Sequence, residues 1–251
     1  MKDQYAGDIG DYGKYALLRA LAAEPYNYAI GVNWYLTPGD GRSDGNITDY
    51  LEKEYDSLDN DLFRKLKNLF YRGGKPCFEN RGVSMIENGG ILDNAVFYNE
   101  VLDYTGLKPA DRSEYRRNWV KRSLEKLGDS DIIFLDPDNG LEVKSVKPTG
   151  SKGNKYVTYE EALLYYNQAK AALIIYNHRD RSPESEYLKR FTRFSDYAET
   201  KTAGLARLTY NKISVRDYVF IIKPGYINEM LSFTDKFNEK EGFANDNRRV
   251  D

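Results

Sequence analysis

Three apolar runs constrain this chain more than any other feature: residues 28–36, 131–136 and 171–176, with segments of helical spacing between them. Short apolar runs bounded by turn residues read as buried strands. Strands separated by helices cannot close as hairpins, so they align in parallel with helices covering both faces of the sheet. The helices have their own signals. Residues 11–23 put Tyr12, Tyr15, Leu18 and Leu21 on one face and stop at Pro25, and residues 112–127 end at Gly128. Thr158 and Glu161 form a capping-box pattern for a helix running to about Lys170, and Pro183 with Glu184 and Glu186 opens another. Residues 205–214 and 217–223 read as two strands joined by a reversal, followed by a helix over 226–239. The expected fold is α/β, a Rossmann-like, mostly parallel sheet with helices on both faces and an antiparallel strand near the C-terminus.

The middle of the chain is less regular. A charged helical stretch over 47–71, broken by Gly73-Gly74, reads as part of a helical insertion at about residues 43–78. Residues 83–87 read as a short strand and 94–104 as a helix. No repeat or long linker divides the 251 residues, so a single domain over 1–251 is expected.

Composition excludes several function classes. One cysteine, Cys77, rules out an intramolecular disulfide and a multi-cysteine zinc site, and one histidine, His178, rules out histidine-rich metal sites. No apolar run reaches a membrane span and no apolar leader opens the chain, so a cytoplasmic protein without membrane contact is expected. Thirty-seven basic against 39 acidic residues leave a net charge of −2, without the basic excess of a non-specific nucleic-acid coat. A local basic face remains compatible with that balance.

In open parallel sheets ligands sit beyond the carboxyl ends of the strands. That rule selects Asn33, the run Asp136-Pro137-Asp138-Asn139-Gly140 and the run Asn177-His178-Arg179-Asp180. Asp136 ends an apolar strand, and Pro137 removes the backbone donor that would continue it. All five residues of the first run also favour a plain turn. The second notable segment is Tyr5-Ala6-Gly7-Asp8-Ile9-Gly10-Asp11-Tyr12-Gly13-Lys14-Tyr15. Asp8 or Asp11 serves there as a helix cap, or the backbone amides of this glycine-bearing helix entry meet a carboxylate or phosphate.

These two segments, in this order, resemble the class I S-adenosylmethionine-dependent methyltransferases, nearest the large-subunit ribosomal RNA adenine methyltransferase family. That family opens with His-Ala-Gly-Asn-Phe-Ala-Asp-Val-Leu-Lys-His, of which Ala6, Gly7, Asp11 and Lys14 are kept. Its catalytic strand ends in Asp-Pro-Pro-Tyr, and Asp136-Pro137 falls at the matching place. Ile221-Ile222-Lys223-Pro224 looks like its closing strand. The resemblance covers about a third of the chain. It implies S-adenosylmethionine as cofactor, a nucleic-acid base or nucleotide as substrate, Asp136, Pro137, Asp138 and Asn139 as catalytic residues, and Asp11, Lys14, Tyr15 and Asn33 around the cofactor. No metal is implied.

The sequence departs from the family in three places. Its glycines come late after the first strand, where Trp34-Tyr35 stands; Asp138-Asn139 replaces the Pro-Tyr of the motif; and Tyr15 replaces a histidine. A different chemistry therefore stays open, a phosphodiesterase or nuclease using Mg²⁺ or Mn²⁺ on Asp136 and Asp138 with His178. A catalytically inactive nucleotide- or protein-binding domain is the third reading. Glu87 is a candidate ribose acceptor or a surface turn residue, residues 150–155 a mobile substrate loop or simply a solvated one, and Arg112, Arg116, Arg117, Lys121 and Arg122 a phosphate track or an ordinary charged helix face.

Overall fold

A computed structural model describes residues 1–39, 41, 45, 47–52, 58–212, 215–240 and 242–244. Residues 43, 44, 46 and 53–57 of the expected insertion, and the end of the expected strand 205–214, lie outside them. The described core is one twisted sheet of seven strands: β1 (Ile30–Asn33), β2 (Val96–Tyr98), β3 (Ile132–Leu135), β4 (Ala172–His178), β5 (Gly204–Asn211), β6 (Val215–Ile222) and β7 (Phe243–Ala244). Their spatial order is β7-β5-β6-β4-β3-β1-β2. Strands β2, β1, β3 and β4 run parallel, and β6 is antiparallel to both β4 and β5. The three expected apolar runs are thus parallel neighbours, and the antiparallel strand near the C-terminus is present.

Alternating side chains divide the core into two layers, as a pleated strand requires. Ile30, Val32, Ile132, Phe134 and Ile174 face one layer, closed by the helices α1 (Ile9–Ala22), α2 (Asn60–Phe70), α3 (Val83–Asn88) and α7 (Ile227–Phe237). Ile133, Leu135, Leu173 and Ile175 face the other, under α4 (Pro109–Leu127), α5 (Tyr159–Gln168) and α6 (Glu184–Thr192). Each such aliphatic side chain contributes about 1.5–3 kcal/mol on full burial. The Thr158–Glu161 capping box is formed in both directions at the start of α5. No helix among the described residues is long and apolar enough to cross a membrane.

Two local expectations are corrected. Residues 83–87 are not a strand but the helix α3, whose first amide, Val83 N, donates to Asp3 Oδ1 at 2.9 Å. A cap supplied from 80 residues away overrides the β-branched start. Residues 94–104 are not a helix; Val96, Phe97 and Tyr98 form β2, paired in register with Gly31, Val32 and Asn33. Within the expected insertion the described residues hold a 3₁₀ turn (Asp49–Leu51), α2, and a two-residue hairpin of Tyr71–Arg72 with Lys75–Pro76.

Candidate functional site

The winding of the sheet reverses between β1 and β3, since β2 lies outside β1 and β4 outside β3. The crevice beyond the carboxyl ends at such a reversal is the ordinary ligand site of an open α/β sheet. A cavity of about 310 Å³ lies there, walled by Met1, the first turns of α1, the loop after β3, the end of β4 and the start of β6.

The α1 wall is built from its own charges. Asp8 caps the helix, its Oδ1 accepting from Gly10 N at 2.7 Å and Asp11 N at 3.1 Å. Asp11 Oδ2 accepts from Gly7 N at 2.9 Å and from the Tyr15 hydroxyl at 2.8 Å. Gly7 sits at φ +78°, and a Cβ there would overlap the Phe70 ring. One turn on, Lys14 Nζ bridges Asp11 Oδ1 at 2.7 Å and Asp136 Oδ2 at 2.6 Å. Burial alone would release the Lys14 proton, but Asp11 and Asp136 more than offset it and hold the ammonium charged. Burial pushes the Asp136 carboxyl up, against the pull of Lys14 and the Met1 ammonium. Burial raises Asp8 to about 6, with Asp11 adding to the rise and the Arg216 guanidinium opposing it.

The loop after β3 is held as firmly. Asp136 N donates to Asn33 O at 2.9 Å, which carries the β1–β3 ladder one residue further before Pro137 turns the chain out. The Met1 ammonium donates to Asp136 O at 2.8 Å and Tyr35 O at 3.3 Å, and pairs with Asp138 Oδ1 at 2.8 Å. Lys155 Nζ stands 3.3 Å from Asp138 Oδ2. Burial opposes ionisation of Asp138, yet the Met1 ammonium, Lys155 and Lys2 hold its carboxyl below the usual range. Asn139 N donates to Lys155 O and its carbonyl accepts from His178 N, which ties the loop to β4.

Of the expected site residues, Asp11, Lys14, Asp136, Pro137, Asp138, Asn139 and His178 line this one cavity. Tyr15 stands behind it, fully buried with its hydroxyl on Asp11. Asn33 is placed elsewhere. Its side chain points into the opposite core layer, where Nδ2 donates to the Tyr165 hydroxyl at 2.9 Å and Oδ1 accepts from Tyr35 N at 2.9 Å. That second bond closes the turn after β1, in which Tyr35 adopts φ +43°. The cavity is therefore bounded by Lys14 and Asp136 but not by Asn33. Glu87 lies on α3 and accepts from Trp34 Nε1 at 2.8 Å and Asn99 Nδ2 at 2.9 Å. Arg116 is buried against Glu161, and Arg122 pairs with Glu100 at 2.8 Å, so these two do not present a phosphate track.

Asp136, Asp138 and His178 do not converge as metal ligands. Both carboxylates face ammonium groups, and among the described residues no group of three or more His, Cys, Asp or Glu side chains is placed to hold a metal ion.

Asp8, Tyr176 and Arg216 complete the cavity wall, and sequence reasoning passed over them as site residues. Arg216 pairs opposite His178 in the β6–β4 register, and its Nη2 lies 3.4 Å from Asp8 Oδ2. Its Nη1 is buried and has no hydrogen-bond partner among the described residues. The guanidinium lies across Gly10, where any Cβ would overlap it. Partial burial and the neighbouring guanidinium push His178 below its ordinary value. The cavity therefore combines four carboxylates, and the cations that face them, with the Arg216 guanidinium and one imidazole. It suits a ligand bearing both cationic and anionic groups. No protein-family model, curated protein or solved structure matches the chain.

Proposed function

We propose that this protein transfers a methyl group from S-adenosylmethionine to an amino nitrogen of a nucleic-acid base or nucleotide. The observation that carries the reading is Asp136, a buried carboxylate at the end of a central parallel strand, followed by Pro137 and opening on the cavity at the winding reversal. The resemblance to the ribosomal RNA adenine methyltransferases, in the runs beginning at Tyr5 and at Asp136, points the same way.

The donor set fits the charged end of the cofactor. A sulfonium and an α-ammonium are cations, and Asp8, Asp11, Asp136 and Asp138 surround one space. The carbonyls of Tyr35 and Asp136 hold the chain's own Met1 ammonium at this wall, an example of how the site accommodates an amino group. Arg216, whose Nη1 has no partner among the described residues, suits the α-carboxylate. The turn after β1 offers no glycine cradle, because Trp34 and Tyr35 are fully buried, so the contacts come from α1, the loop after β3 and β6.

When bound, the cofactor supplies an activated methyl on a cationic sulfur. The residues of this chain position and polarise. Asp136 accepts a hydrogen bond from the target amine and fixes the direction of its lone pair. Lys14 holds that carboxylate in one place and favours its ionised form, while Asp11 fixes the Lys14 ammonium from the other side. Pro137 and the Asn139–Lys155 and Asn139–His178 backbone bonds keep the loop from moving with the substrate. Asp8, at about 6, is a wall group able to take up the proton released after transfer.

The test is transfer of labelled methyl from S-adenosylmethionine to oligonucleotide pools and free nucleotides. The expected result is incorporation by the wild type and none by Asp136→Ala, with both proteins folded by thermal melt. No incorporation by the wild type into any of these acceptors overturns the reading.

A further inference from the structure

The segment 143–155 carries Lys144, Lys147, Lys152 and Lys155 and no acidic residue, in a chain whose net charge is −2. Its two ends are clamped together by the parallel bridge of Gly140–Leu141 with Tyr156–Val157, immediately after the cavity loop. Its middle is pinned from beneath. Arg116 Nη1 donates to Gly153 O at 2.8 Å, Arg112 Nη1 to Thr149 O at 3.0 Å, and Asn154 Nδ2 to Leu102 O at 2.9 Å. Lys155 reaches Asp138 at the cavity. Lys144, Lys147 and Lys152 are exposed, and among the described residues no carboxylate pairs with them.

A solvated loop needs none of this anchoring. Two arginines, one of them buried, spend their donors on its carbonyls rather than on phosphate or solvent, and the result is a held ridge of three free ammonium groups beside the site. A ridge already fixed loses little conformational freedom on binding a polyanion.

We infer that the ridge of Lys144, Lys147 and Lys152 binds the phosphodiester backbone of a single-stranded polynucleotide whose base enters the cavity. The inference rests on the methyltransferase reading for the role of the cavity, but not for the ridge itself. It makes the substrate a polynucleotide rather than a free nucleotide.

The experiment is fluorescence anisotropy of the full chain with labelled 15-residue single-stranded DNA and RNA oligonucleotides, from 50 to 200 mM salt. The wild type is compared with the triple variant Lys144→Gln, Lys147→Gln, Lys152→Gln, both checked by thermal melt. Each single-strand phosphate contact adds about 0.7 to the slope of log affinity on log salt. The triple variant should therefore show a slope shallower by about 2, with an affinity at least tenfold weaker at 50 mM salt. The DNA and RNA arms identify which backbone is preferred. Equal slopes for wild type and variant, or no oligonucleotide binding by the wild type at 50 mM salt, overturn the inference. Calorimetry with S-adenosylmethionine on the same two proteins separates the claims. Cofactor binding unchanged in the variant leaves the loss with the ridge, whereas ridge-dependent oligonucleotide binding without cofactor binding overturns the methyltransferase reading alone.

Discussion

Lys14 Nζ lies 2.6 Å from Asp136 Oδ2, so the first helix and the third strand of the sheet meet in one buried ion pair. The same ammonium holds Asp11 at 2.7 Å. One cation thus serves two carboxylates, and the three side chains are not equivalent.

Removing the shared cation should therefore hurt the fold most. Lys14→Met leaves Asp11 and Asp136 buried without it, a loss of about 3–5 kcal/mol. Asp136→Asn keeps the Lys14–Asp11 pair and nearly the same shape, so its loss is about 1–2 kcal/mol. Urea unfolding of both variants checks the ranking, and equal midpoints would show that the bridge is not what joins α1 to β3.

Gly10 and Arg216 should behave as one element. An alanine Cβ at Gly10 displaces only the flexible end of Arg216, while alanine favours the helix by up to about 1 kcal/mol. Gly10→Ala should melt within a few degrees of wild type yet bind S-adenosylmethionine about as poorly as Arg216→Ala. Undiminished affinity in Gly10→Ala would remove Arg216 from the binding site.

Asp8 should give stability a pH dependence of known sign. Its folded value of about 6 lies above the ordinary 3.8, so the folded chain binds this proton more tightly than the unfolded one. The contribution favours folding below about 4 and is lost as pH rises through 6. Asp8→Asn keeps a capping oxygen and removes the titration. The variant should therefore gain stability relative to wild type between pH 4 and 6.5, read from denaturant midpoints. A constant difference across that range contradicts the assignment.

His178 separates the methyltransferase account from a phosphodiesterase. An imidazole at the wall that only contacts substrate predicts a loss of tenfold or less for His178→Asn, about 1.4 kcal/mol in the barrier. A thousandfold loss together with dependence on added Mg²⁺ or Mn²⁺ would favour the phosphodiesterase.

The sheet was legible because its central strands are continuous apolar runs. The Asp136–Asn139 loop was legible because Pro137 ends such a run. β2 was not, since three residues at an edge leave no period to read, and α3 was not, since its cap comes from Asp3. Arg216 enters the site only through the register that sets it opposite His178. That register depends on how β6 slides along β4, and nothing local to residues 215–222 states it. Asn33 misled for a related reason: the strand-end rule places its backbone correctly, but the pleat turns its side chain to the far layer, onto Tyr165.

The most direct measurement is isothermal titration of S-adenosylmethionine into the folded full chain at neutral pH, beside Arg216→Ala and Asp136→Asn. The account predicts one saturable site in the wild type, weakened at least tenfold, about 1.4 kcal/mol, in each variant. No binding by the wild type at millimolar S-adenosylmethionine, or binding that neither substitution weakens, would contradict it.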